Sequence, residues 1–225
     1  EQIARVGRDR KGWLGQTKKG RVHLHRITVS VRRSCPATVH NCQMMPPLTF
    51  PAASLTPATY VVDTNVILVA NGQHPDVSPA CVTACQDWLQ RIMAEGRVAL
   101  DDAYAIVGEY QHKTHASDGQ GVGDAFVRWV LHHVDDAARC DLVNLSPDAG
   151  RGFLSFPVDE GLAHFDDADR KFVAVAHAHP ERPPILQAAD SKWLDWAPYL
   201  ADHSVQIRFL CQAEVQEFHH HKFGC

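Results

Sequence analysis

Four carboxylates, Asp63, Glu109, Asp169 and Asp190, hold positions from which they could act together. Asp63 follows the β-forming run Tyr60-Val61-Val62, and Asp190 follows Ile185–Ala189 in the same manner. Asp169 shares a helical face with Phe172, Val173 and Ala176, because positions i, i+3, i+4 and i+7 fall within about a third of a turn. A carboxylate heading an apolar face points toward the core, where an unpaired charge is costly. Glu109 comes three residues after Ile106, beside the apolar side of its own helix. Hard oxygen donors gathered in this way suit Mg2+ or Mn2+, which bind through carboxylates and keep several waters. One or two such ions would offset the repulsion among four acids, polarise a phosphodiester, activate water and stabilise the leaving oxygen. Each acid also has a structural reading. Asp63 could cap the turn that follows it. Asp166, Asp167 or Asp169 could favour a helix N-terminus. Glu109 could lie on a solvated edge, and Asp190 in a turn. It is the joint pattern that points to a metal site.

The elements that must position these acids alternate in type. Tyr60–Val62 is a buried-strand candidate, and an apolar run resumes at Val66–Val69. Residues 79–95 carry helical spacing, with Ser78 as cap, Pro79 in the first turn and Gly96 as stop. Val98–Leu100 is a short strand, and helices are expected over 102–115 and 124–134, the second after a Gly-rich turn at 119–123. Asp141–Leu145 is a strand candidate, residues 167–179 a helix, Ile185–Gln187 the approach to a strand end, and 204–210 a final strand. This alternation implies an α/β fold, a three-layer α/β/α sandwich with a mostly parallel central sheet. Ligands of such sheets bind outside the carboxyl ends of the strands.

The chain of 225 residues is long enough for one ordinary domain plus an appendage. Its charge is uneven. Residues 1–58 hold ten Lys/Arg against two acids, whereas 59–225 hold twelve against twenty-four. The early basic residues end at Arg33, and Pro36, Pro46, Pro47, Pro51 and Pro57 mark a linker after them. Residues 1–58 therefore read as a basic, then Pro-rich extension that is poorly ordered or non-native. It is either a nucleic-acid-binding arm or sequence upstream of a true start near Met44 and Met45. A strand-like run covers Val22–Val31. Residues 59–211 form the expected folded domain and 212–225 a C-terminal tail. No apolar run reaches the ~20 residues of a membrane span, and the basic start lacks the apolar core of a signal peptide. Seven irregularly spaced cysteines are expected as reduced, partly buried thiols. The expectation is a soluble, cytoplasmic protein.

The residues resemble a PIN-domain nuclease. The likeness is carried by Val61-Val62-Asp63-Thr64-Asn65, then Glu109, then Asp169-Arg170-Lys171-Phe172-Val173, then Ile185–Asp190, across roughly residues 59–211. The resemblance implies a Rossmann-like sandwich and metal-dependent cleavage of RNA in preference to DNA. Asp63, Glu109, Asp169 and Asp190 would coordinate Mg2+ or Mn2+, with Thr64 or Asn65 fixing the first carboxylate. Many relatives are toxin ribonucleases of toxin–antitoxin pairs, so an inhibitory antitoxin-like protein and a homodimer are implied as partners. Two departures stand out. The last motif often has a second acid where this chain has Lys192, and Asp195 is the candidate substitute. The segment between Glu109 and Asp169 is also longer than in compact toxins. Candidate phosphate contacts are Lys113, Arg170, Lys171 and Lys192. Trp193 and Trp196 either stack on bases or, the blander reading, pack in the core. Lys192 and the net acidity support an alternative, a catalytically weakened PIN-like binding or regulatory module.

Other constellations offer less. His177 and His179 point apart on a helix, and His219-His220-His221 is a loose zinc candidate. Cys81 and Cys85 stand at i, i+4 and could share a ligand, although buried small apolar residues are the simpler reading. No nucleophile elbow, P-loop or dinucleotide fingerprint occurs.

Overall fold

The computed structural model describes residues 58–223; the basic arm, the run Val22–Val31 and almost all of the Pro-rich linker lie outside them. Three β-forming residues within Thr59–Val62 make the central strand β1. Helix α1 (Thr64–Ala70) follows at once, then α2 (Pro79–Glu95), β2 (Arg97–Asp101), α3 (Ala105–Lys113), α4 (Val122–His133) and β3 (Cys140–Val143). A small antiparallel hairpin, β4 (Pro147–Asp148) and β5 (Gly152–Phe153), precedes a short 3-10 turn at Glu160–Leu162. Helix α5 (Arg170–Ala178), β6 (Ile185–Gln187), α6 (Trp193–Asp202), β7 (Ile207–Phe209) and α7 (Gln212–Phe223) complete the order.

The five-stranded sheet runs β3-β2-β1-β6-β7, and every pairing is parallel. The chain steps outward from β1 to β2 and β3, then returns past β1 to β6 and on to β7. Right-handed crossovers therefore place α1–α4 on one face and α5 and α6 on the other. In keeping with this, α1, α2, α3 and α4 pack on one another, while α5 packs on β1, β2 and β6. The result is the expected three-layer α/β/α sandwich. Reversal of direction between β1 and β6 creates a topological switch point, the place where such sheets open a crevice.

Local chemistry sets the helix starts. Ser78 accepts the Cys81 N–H at 3.1 Å, Pro79 stands at the first turn, and Cys81, Cys85, Leu89 and Ile92 bury one face. Helix α3 starts at Ala105, three residues later than expected. The buried Asp101 carboxylate accepts the N–H groups of Ala105 and Ile106 at 2.7 and 2.8 Å, and Tyr104 takes a left-handed φ of 60°. Helix α5 likewise starts at Arg170 rather than 167, because Asp166 closes a turn onto Ala168 and Asp169. Close approach of α4 to α1 requires Gly123: a Cβ there would lie 2.3 Å from the Ile67 carbonyl oxygen.

Three helices, α1, α6 and α7, are not expected from the sequence pattern. Pro198 interrupts the period of α6. The expected tail forms α7, whose Val215 is fully buried. A disulfide between Cys81 and Cys211, 130 residues apart, joins the start of α2 to the entry of α7. This corrects the expectation of reduced thiols throughout. Cys85 and Cys140 are free and buried, and burial pushes their thiols up to about 12 and about 11. Among the described residues, no helix is long and apolar enough to cross a membrane.

The Asp101 carboxylate carries the first turn of α3 and through it the placement of Glu109. Asp101→Ala should lower the unfolding free energy by about 1–3 kcal/mol, the cost of leaving the buried Ile106 N–H without an acceptor. Urea denaturation measures this.

Candidate functional site

Asp63 stands where β1 ends, beside the switch point. Its side chain accepts the Asn65 backbone N–H at 2.7 Å and so caps α1, which puts the carboxylate at a strand end and a helix start together. Thr64, the first residue of α1, donates its hydroxyl to Glu109 Oε1 at 2.6 Å. Asn65 Oδ1 accepts the Ala189 N–H at 2.7 Å and ties the loop after β6 to the start of α1. Asp190 is thereby held next to the same crevice, and its Oδ1 accepts the Lys192 N–H at 3.1 Å. Tyr110, fully buried on α3, donates its hydroxyl to the Val62 carbonyl and locks α3 against the end of β1.

Electrostatics joins the four acids. Asp63 is 5% exposed, and its carboxyl is raised well above the usual range, first by burial and then by the charges of Asp169, Glu109 and Asp190; the Asn65 N–H opposes this. Asp169 is pushed up to about 6, first by burial and then by Asp166 and Asp190, with Glu109 adding to the rise and Lys171 opposing it. Asp63, Glu109, Asp169 and Asp190 thus occupy one electrostatic neighbourhood. Asp166 is a fifth acid in it, one that the sequence marks only as a cap candidate.

Lys171 is the residue whose position departs most from expectation. It is buried rather than presented to a phosphate, and its ammonium pairs with Glu109 Oε2 at 2.6 Å and donates to the Ala168 carbonyl. Arg170 is also occupied. It donates to the carbonyls of Gly150 and Phe165, pairs with Asp167 at 3.0 Å and covers the Phe156 ring. Lys113 is exposed one turn beyond Glu109 on α3. Lys192 is half-exposed and lies 3.5 Å from Asp166. Asp195 does not join the cluster: it points outward and pairs with His219 at 2.6 Å. Trp193 is fully buried, and Trp196 packs on Phe165 with centroids 4.5 Å apart, so neither ring is presented for stacking on a base. His177 and His179 bond separately, to the Ser155 carbonyl and to Asp141.

Hard donors whose charges raise one another fit a hard divalent cation. Among the described residues, only Cys81, Cys85 and Cys211 form a group of His, Cys, Asp or Glu donors all within 4.8 Å of one another. No three of the four acids, Asp63, Glu109, Asp169 and Asp190, meet that limit. Asp63 and Asp190 stand at the ends of adjacent strands, on either side of the switch point. No protein-family model matches the chain, and neither curated proteins nor solved structures yield a match.

Repulsion in this crevice should be measurable as stability. A carboxyl raised in the fold favours its neutral form there, so its contribution is best at low pH and is lost as pH rises through the folded value. Asp63→Asn keeps a cap residue but removes the charge. In chelator at neutral pH it should raise the melting temperature, by about 2–4 °C for each kcal/mol relieved. The gain should shrink toward the ordinary carboxylate range, and Mn2+ should stabilise the parent chain more than the variant. Differential scanning fluorimetry with and without Mn2+ checks both.

Proposed function

We propose that the chain is a metal-dependent nuclease of PIN-like design that hydrolyses phosphodiester bonds, with RNA as the preferred substrate. The observation that carries this reading is the convergence of Asp63, Glu109, Asp169 and Asp190, from four separate segments, on the switch point of a parallel sheet. Mg2+ or Mn2+ bound there would supply Lewis-acid activation of the phosphate and of water. Asp63 and Asp190 would hold the cation. Glu109, fixed by Thr64 and Lys171, and Asp169 orient the attacking water for in-line displacement, leaving 5′-phosphate and 3′-hydroxyl ends. Lys113 and Lys192 are the cations left at the surface to meet phosphate. The buried Lys171–Glu109 pair favours a second reading, in which an internal cation partly replaces the metal and the crevice binds nucleic acid without cutting it.

Incubation of end-labelled single-stranded RNA and DNA with Mn2+, Mg2+ or chelator separates the two. Cleavage should require the divalent ion and favour RNA. It should fall at least about 100-fold in Asp63→Asn and in Asp190→Asn, the scale of losing one preorganised electrostatic contact. Asp87→Asn, an exposed change on α2, should cut like the parent. Retained binding without divalent-dependent cleavage would select the second reading.

A further inference from the structure

The three cysteines at the junction of α2 and α7 form a second cluster of donors, of a different chemical kind. Cys81 and Cys85 face the same way, one turn apart on α2, and Cys211 meets them from the entry to α7. All three are buried, and their sulfurs lie within 4.8 Å of one another. Cys81 and Cys211 are joined in a disulfide, which leaves Cys85 as a third thiol with its sulfur 3.9 Å from that of Cys211. A disulfide needs two of these residues, and a third thiol against it adds only a weak sulfur contact. A thiolate metal site uses all three. Sulfurs bound to one zinc stand about 3.8–4.0 Å apart when each Zn–S bond is near 2.3 Å, and the Cys85–Cys211 separation already has that value.

We propose that Cys81, Cys85 and Cys211, when reduced, bind a thiophilic cation of the Zn2+ class, and that the disulfide is the oxidised, metal-free form of the same site. Glu214 in the first turn of α7 is the available fourth donor. Its charge bears on Cys85, and its carboxylate already accepts the Ser78 hydroxyl at the start of α2. Interconversion balances simply. A dithiol reductant gives two electrons and two protons, the Cys81–Cys211 bond breaks, two thiols form, and the reductant leaves as its own disulfide. The cation then displaces one proton from each of the three thiols as the sulfur–metal bonds form. Either form clamps α7 to α2. The soft sulfur set selects cations that the oxygen-lined crevice does not.

The test uses the full chain with Cys35→Ser, Cys42→Ser, Cys140→Ser and Cys225→Ser, so that thiols outside this cluster do not compete. The protein is reduced with a dithiol, freed of reductant without air, and titrated with Cd2+ as a spectroscopic stand-in for Zn2+. The expected result is a thiolate-to-cadmium charge-transfer absorption that saturates at one equivalent and is displaced by Zn2+. Without reduction, the oxidised protein should give no such band. Cys85→Ser and Cys85→Ala should still form the Cys81–Cys211 disulfide. Once reduced, they should bind more than about 100-fold more weakly, because losing even a second-shell partner costs 10–100-fold. A reduced parent chain with no charge-transfer band would overturn the proposal. So would either Cys85 variant binding with parental affinity.

Discussion

Asp63 loses nearly all its water at the end of β1, and the charges of Asp169, Glu109 and Asp190 raise its energy further. Much of the crevice is arranged around that repulsion. The Asn65 N–H and the Lys171 ammonium both work against it, the first on Asp63 and the second on Asp169. Charge at the amino ends of the strands is handled differently. There Asp141 meets Arg97 and lies 3.4 Å from His179, so that end of the sheet carries a paired acid. The carboxyl ends keep a surplus of acids over the one buried lysine among them. Acids crowded at a partly buried site that the chain only partly neutralises are a binding property as much as a cost, because a cation gains what the fold has lost.

The acids of this chain divide into two groups by what their oxygens accept. Asp101, Asp124 and Asp159 are filled by N–H donors: Asp101 starts α3, Asp124 gathers His115, Gly121 and Asn71, and Asp159 caps the 3-10 turn. Such carboxylates are consumed by the scaffold. Asp169 is at the cap position of α5 but makes no capping bond with its side chain, and its charge bears on Asp63 instead. Asp63 belongs to both groups. One oxygen caps α1, and the burial that follows sets it among the other acids. The residue that starts the first helix is in this way also the one on which the site is centred.

This division explains what could be read from the residue order. β1, α2, β2 and β6 were legible because their cores are periodic and their ends carry capping or turn residues: Ser78, Pro79 and Gly96 bracket α2 as expected. Asp63 and Asp190 were legible as site candidates because a parallel sheet brings strand ends together whatever the loops do. Helix α1 was not, because Val66, Ile67 and Val69 are β-branched and the capping bond that makes them helical depends on Asp63 turning back onto Asn65. Helix α6 was hidden by Pro198. Helix α7 was hidden by weak amphipathicity: among its described side chains only Val215 is fully buried, and a disulfide from 130 residues away helps to hold its start. Lys171 was misread for a related reason. Its neighbours Phe172 and Val173 show that the helix is buried, but only the fold reveals that Glu109 lies opposite.

Hardness of the donors keeps the two proposed cation sites apart. The crevice offers carboxylate oxygens, and its buried lysine already occupies one carboxylate arm. The α2–α7 junction offers sulfur at the spacing of direct coordination. A small, strongly hydrated ion such as Mg2+ gains little from thiolates, and a thiophilic ion gains most from them. Filling one site therefore need not deplete the other. Their structural consequences also differ. A cation in the crevice relieves repulsion among side chains that β1, α3, α5 and β6 already hold in place. A cation at the junction replaces a covalent bond, and so determines whether α7 stays clamped to α2 after the disulfide is reduced.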